Sequence, residues 1–148
     1  MHDFDCACAA LRAARDAGVR IALRSPPGAI HAHGLGYLMA LFEEARRALP
    51  DAAFDAVIDC DDDAARAHRA LASGVRLVAF RGHPAARRRL ESVAAGLGAT
   101  LLRGGAPAGA CTLDDPERAS TEATAYLAAV TARKRRPRGL QWRDRPAN

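Results

Sequence analysis

Residues 74–84 read GVRLVAFRGHP, and the apolar run at their centre decides the fold. From Val75 to Phe80 only Arg76 is polar, and glycine and proline bound the run within a few residues. A run this short, continuously apolar and rich in valine and phenylalanine marks a strand buried on both faces of a parallel sheet, not a half-exposed antiparallel one. The same grammar returns outward along the chain at 19–23 (VRIAL), at 56–58 with its flanks (FDAVIDC, 54–60) and at 99–102 (ATLL).

Between these runs the apolar period lengthens to that of a helix. Over 34–49 it places Leu35, Leu38, Met39, Phe42, Ala45 and Leu49 on one stripe, and over 84–97 Leu90, Val93, Ala94 and Leu97. Shorter or weaker helices are expected at 5–17, 64–73 and 116–132. Gly18, Gly74 and Gly98 each separate a helix from a strand, where a left-handed residue ends the helix. Pro84 and Pro116 suit a first helical turn, with His83 and Asp115 before them as caps. One helix per excursion implies parallel strands joined by right-handed crossovers. The expected fold is α/β: a single-domain open four-stranded parallel sheet with helices on both faces, in Rossmann-like or flavodoxin-like layers. Four βα units also fit half of a larger barrel built by pairing two chains.

The chain has 148 residues, the size of one domain. Its net charge of +5 and pI near 9.6 invite a nucleic-acid reading. The charge, however, lies at one end: residues 1–132 carry 15 of the 22 cationic and 16 of the 17 acidic residues, while 133–148 carry 7 and 1. A neutral α/β domain over 1–132 with a basic C-terminal tail over 133–148 is therefore expected, and nucleic acid is not the expected partner. Trp142 in that tail is a candidate anchor in a partner's apolar groove or on a base. The abundance of alanine and arginine reads as coding bias.

No apolar stretch is long enough for a membrane span, and the N-terminal residues are acidic where a signal peptide is basic. A cytoplasmic protein is expected, with Cys6, Cys8, Cys60 and Cys111 as reduced thiols. Cys6-x-Cys8 lacks the spacing of common zinc knuckles.

Parallel sheets bind ligands beyond the carboxyl ends of their strands. There the chain places RSPPGAIHAHGLG (24–36), DCDDD (59–63), RGH (81–83) and RGG (103–105). The proline pair stiffens the first loop, and its glycines admit close approach of backbone to a ligand. Arg24, Ser25, Gly28, Gly34, Asp61, Arg81, His83 and Arg103 are the candidate ligand-binding residues, suited to a phosphate or carboxylate. His31, His33 and Asp59 are the candidate acid–base groups, Asp59 because it ends a buried strand too early to cap the next helix. The spacing matches neither a Walker loop nor a dinucleotide fingerprint. His31, His33, Asp59, Asp61 and His83 include enough ligands for a divalent ion, but helix caps are needed at several of these positions, so no metal is assigned, and no cofactor is identified. No nucleophile stands out: Ser25 has no elbow motif, and Cys60 lies between two aspartates.

The sequence thus points to a domain that binds a small anionic metabolite at the carboxyl edge of its sheet, with His/Asp acid–base chemistry as its catalytic form. Its alternative is a non-catalytic, homo-oligomeric regulatory or assembly module that uses helices and tail for protein contacts.

Overall fold

A computed structural model of the chain describes residues 3–135. The elements run α1 (Phe4–Asp16), β1 (Ile21–Arg24), α2 (Ala29–Ala32), α3 (Gly34–Ala48), β2 (Phe54–Asp59), α4 (Ala64–Ala72), β3 (Leu77–Phe80), α5 (Pro84–Gly96), β4 (Thr100–Arg103) and α6 (Pro116–Arg135). The long helices and the strands stand where the apolar periods place them, and the predicted stops hold. Gly18, Gly74 and Gly98 take φ values of 64°, 85° and 64°. The short turn of helix α2 has too few residues to show a period, so sequence reading passed it over as loop. Helix α6 continues to Arg135, past the expected start of the tail, and the rest of the tail, with Trp142, lies outside the described residues.

All neighbouring strands are parallel, in the order β1-β2-β3-β4. The register sets Leu23 beside Ala56, Ile58 beside Val78, and Val78 beside Leu101. Because side chains alternate across a strand, these residues share one face with Phe54 and Phe80. Ala22, Arg24, Asp55, Val57, Asp59, Leu77, Ala79, Thr100 and Leu102 share the other.

Apolar packing is one-sided. Leu23, Phe54, Ile58, Val78 and Phe80 join a single cluster with the buried side chains of every described helix, whereas Val57 and Ala79, though buried, lie outside it. Helical cover was expected on both faces, and the physical reason for the difference is the strand order. Right-handed crossovers between strands taken in sequence keep every crossover helix on the same side. The same order has no reversal point, and so lacks the crevice where doubly wound sheets bind ligands.

Helix α1 leaves only the charged stripe of Asp5, Arg12, Arg15 and Asp16 exposed, and its Cys6, Ala7, Cys8, Ala9, Ala10, Leu11, Ala13 and Ala14 are all buried. It packs against β1 and α3 and also against α6, which brings Ala119, Ala123 and Leu127 at one-turn spacing. Only small side chains allow a helix to be approached from several sides at once, so the alanines and the two cysteines are core fillers. Composition alone gave no hint of this use.

At the carboxyl edge two glycines are sterically required. A Cβ on Gly104 would fall 2.2 Å from Cβ of Arg81, and one on Gly82 2.4 Å from Cζ of Phe80. Gly96, inside α5, has open space around the same position. Gly104→Ala is expected to cost about 1–3 kcal/mol through overpacking, while Gly96→Ala is neutral or stabilising by up to about 1 kcal/mol. Urea denaturation of the two variants checks the contrast.

Candidate functional site

Strands β1 and β2 end side by side in a charged lock. The Arg24 guanidinium donates to Asp59 Oδ2 from Nε at 3.2 Å and from Nη2 at 2.8 Å. The Asp59 backbone N–H donates to Ser25 Oγ at 2.9 Å, and the Asp61 N–H donates to Asp59 Oδ1 at 2.9 Å. Both carboxylate oxygens of Asp59 are thereby engaged, which is what a carboxylate with 2 % side-chain exposure requires. Parallel pairing dictates the contact: Arg24 is in register with Val57, so Asp59, two residues on, projects from the same face one pleat higher.

The next step along the edge repeats the pairing. Asp61 adopts a left-handed φ of 55°, a conformation that aspartate tolerates better than most residues. Its buried Oδ1 forms an ion pair with Arg81 Nε, and the Arg81 N–H donates to the Asp61 carbonyl at 2.7 Å. Arg24 and Arg81, expected as anion partners, are thus neutralised by aspartates of the same edge.

The histidines lie elsewhere. His31 is exposed on α2, and His33, also exposed, joins α2 to α3 and sets its ring 5.0 Å from that of Tyr37. His83 accepts the Ala85 N–H on Nδ1 at 3.2 Å and so caps α5, as expected. Asp63 caps α4 by accepting the Arg66 N–H at 2.9 Å. That hydrogen bond holds the Asp63 carboxyl below the usual carboxylate range, with lesser help from the charges of Arg66 and His31. The described hydrogen-bond partners of Asp59's carboxylate are Arg24 and Asp61, not a histidine. Arg103 ends β4 exposed. Among the described residues no three His, Cys, Asp or Glu side chains gather as a metal-ligand group.

The loop that opens at Arg24 does border a cavity. A groove of about 320 Å³ is lined by Pro26, Pro27, Gly28, Ala29, Ala32, His33, Leu38 and Leu41. Gly28 and Gly34, with φ of 77° and 78°, make the turns into α2 and α3 that shape it. Its walls are apolar, and His33 is its titratable side chain. Arg24, Arg81 and Arg103 do not line it.

Comparison of the chain with family models, curated proteins and solved structures returns no match. Its site is read from its own geometry.

Sequence reading missed Arg87, which donates from α5 to the carbonyls of Phe80 at 2.9 Å, Leu102 at 3.2 Å and Leu101 at 3.2 Å. It ties together the ends of β3 and β4. Three consecutive arginines at 87–89 hide it, since nothing in the pattern distinguishes the one that faces the sheet. Cys60 is inert as expected, its thiol pushed up to about 12 mainly by burial and then by Asp59 and Asp63.

Arg24→Ala leaves a buried carboxylate without its cation and is expected to cost about 3 kcal/mol, part of which returns in the Arg24→Ala/Asp59→Ala double variant. Chemical denaturation of the three proteins checks it. For Asp63 the folded carboxyl ionises more readily than the unfolded one, so its stabilisation is present above the ordinary value of 3.8 and lost as pH falls through the lowered one. Asp63→Ala is expected to cost about 1 kcal/mol at neutral pH, and the gap from the parent to narrow in acid when thermal unfolding is followed against pH.

Proposed function

We propose that the protein binds a small anionic metabolite in the groove beside the Pro26–Pro27–Gly28 turn. The observation that carries this reading is that a groove of about 320 Å³ opens beside the loop at the carboxyl end of β1 and presents one titratable side chain, His33. The apolar lining from Ala29, Leu38 and Leu41 takes the hydrocarbon part of the ligand, and His33 meets its phosphate or carboxylate. The backbone at Gly28 approaches the ligand without a Cβ in the way.

The roles of the other candidates change accordingly. Arg24, Ser25, Asp59, Asp61 and Arg81 hold the strand ends at which the loop begins, and His83 holds the start of α5. Any proton transfer in the groove falls to His33, with no nucleophile beside it. The four cysteines, none in a disulfide, fit the cytoplasm in which we place this function.

Thermal unfolding in the presence of inorganic phosphate and sugar phosphates tests the reading. A ligand at about 100 times its dissociation constant is expected to add about 2.7 kcal/mol, seen as a raised Tm that His33→Ala removes and Arg103→Ala leaves in place. A Tm unmoved by these anions, or a rise that persists in His33→Ala, speaks against the groove as the site.

A further inference from the structure

The near-balance of charge over 1–132, from which nucleic acid is not expected, is an average over three unlike blocks. Residues 1–63 carry 6 arginines against 11 acidic residues, 64–103 carry 8 arginines against Glu91 alone, and 104–132 carry 1 against 4. Strand order turns this separation along the chain into one across the molecule. Because β1, β2, β3 and β4 lie side by side in sequence, α4, α5 and the last two strands form one end of the fold, while α1, packed on β1, α3 and α6, lies at the other. Pairing sharpens the contrast. Seven of the 11 acids of 1–63 close on arginines, and Glu91 closes on Arg87 at 2.8 Å. Arg69, Arg76, Arg88, Arg89 and Arg103 are all exposed and hold no ion pair or side-chain hydrogen bond among the described residues.

We propose that this end of the fold binds the phosphate backbone of double-stranded nucleic acid, without preference for sequence. Helix geometry gathers the free cations on one surface, because residues two apart on a helix point about 200° apart. Arg66 reaches back to the carbonyl of Ile30 at 3.3 Å, so His68 turns to the other flank of α4, toward α5. Arg87 reaches the carbonyls of β4, so Arg89 turns toward α4. By the same rule Arg69, two residues after the buried Ala67, and Arg88, two before the buried Leu90, point outward on either side of this trough. Arg103, in register with Phe80, leaves β4 on the same helix-covered side of the sheet.

What the surface lacks selects the class of partner. A protein interface needs an apolar centre depleted of charge, and a membrane surface needs apolar side chains to insert beside the cations. In 64–103 the exposed large apolar residue is Leu97, at the C-terminal end of α5 and two turns past Arg89. A second copy of this chain offers no matching anionic face, since most of its acids are spent on its own arginines. Nucleic acid asks only for cations, because neutralised phosphates carry its sequence-independent binding, and each guanidinium fork takes two phosphate oxygens at once. The duplex is selected over the single strand because Phe80, the aromatic residue of 64–103, is fully buried and leaves no ring on which an unpaired base can stack.

Fluorescence anisotropy of a labelled duplex of about 20 base pairs, titrated with the full chain between about 50 and about 200 mM salt, tests this. Binding is expected with a dissociation constant on the order of micromolar at the lower salt and to weaken steeply at the higher. Arg88→Gln/Arg89→Gln is expected to weaken it at least about tenfold and to make the slope of log affinity against log salt shallower by about 2. Arg69→Gln, on the neighbouring helix, is expected to weaken it about threefold and to make that slope shallower by about 1. The charge-matched Arg12→Gln/Arg15→Gln on α1 is expected to stay within about twofold of the parent, which separates this face from total charge and from the basic residues of 133–148. His33→Ala is expected to change nothing, which separates it from the groove. No binding at the lower salt overturns the proposal, as do equal losses in the α5 and α1 variants, or a complex that the α4 and α5 substitutions leave unchanged. Tighter binding to a single strand of the same length, or to phosphatidylserine vesicles, overturns it in favour of that partner.

Discussion

The buried pairing of Arg24 with Asp59 is the constraint from which the carboxyl edge is built. A carboxylate removed from water at the end of a central strand is tolerable only with a cation and hydrogen-bond donors in reach. Parallel register supplies the cation from the neighbouring strand, and the following turn supplies the Asp61 N–H. Ser25, on the opposite face, accepts the Asp59 N–H, so the lock joins both faces of the sheet. The Pro26–Pro27 turn then departs from a fixed point, and the groove it borders has one rigid wall. Asp61 extends the lock to Arg81 and hence to β3.

Strand order sets the second constraint. Taking the strands in sequence with one crossover hand places the helices together, and this makes one dense core on one face and leaves Val57 and Ala79 outside it on the other. The core meets the demand with small residues. Helix α1 is packed on several sides because its buried side chains, Leu11 apart, are alanine and cysteine, and α6 can lie along it because Ala119 and Ala123 allow close approach. On the other face Arg24 and Asp59 close on each other beside the buried Val57 and Ala79.

Arginine illustrates how residue identity and role separate. Arg24 ends β1 on a carboxylate, and Arg87 reaches from α5 to three main-chain carbonyls at the ends of β3 and β4. Arg81 is spent on Asp61, and Arg103 stands in solvent. Arg24, Arg81 and Arg103 looked alike as cations near a carboxyl edge and Arg87 like its neighbours in a run of arginines, because the feature that distinguishes them, the partner, comes from another strand or helix.

The elements, their parallel sense and the edge that collects the polar loops were legible in the sequence, because each follows from local chemistry: short apolar runs, helical stripes, a glycine at each helix end, caps such as His83 and Asp115. The groove beside residues 26–28 was legible as a stiff glycine-bearing loop. Which face the helices cover was not, since strand order depends on how distant segments stack and no local pattern encodes it. Nor were the partners of Asp59 or the place of His31. Residues 24 and 59 are brought together by register, while His31 stands on a single turn of helix too short to leave a period. The chain alone determined which groups reach the rim; tertiary structure decided which of them neutralise each other and which remain available to a ligand.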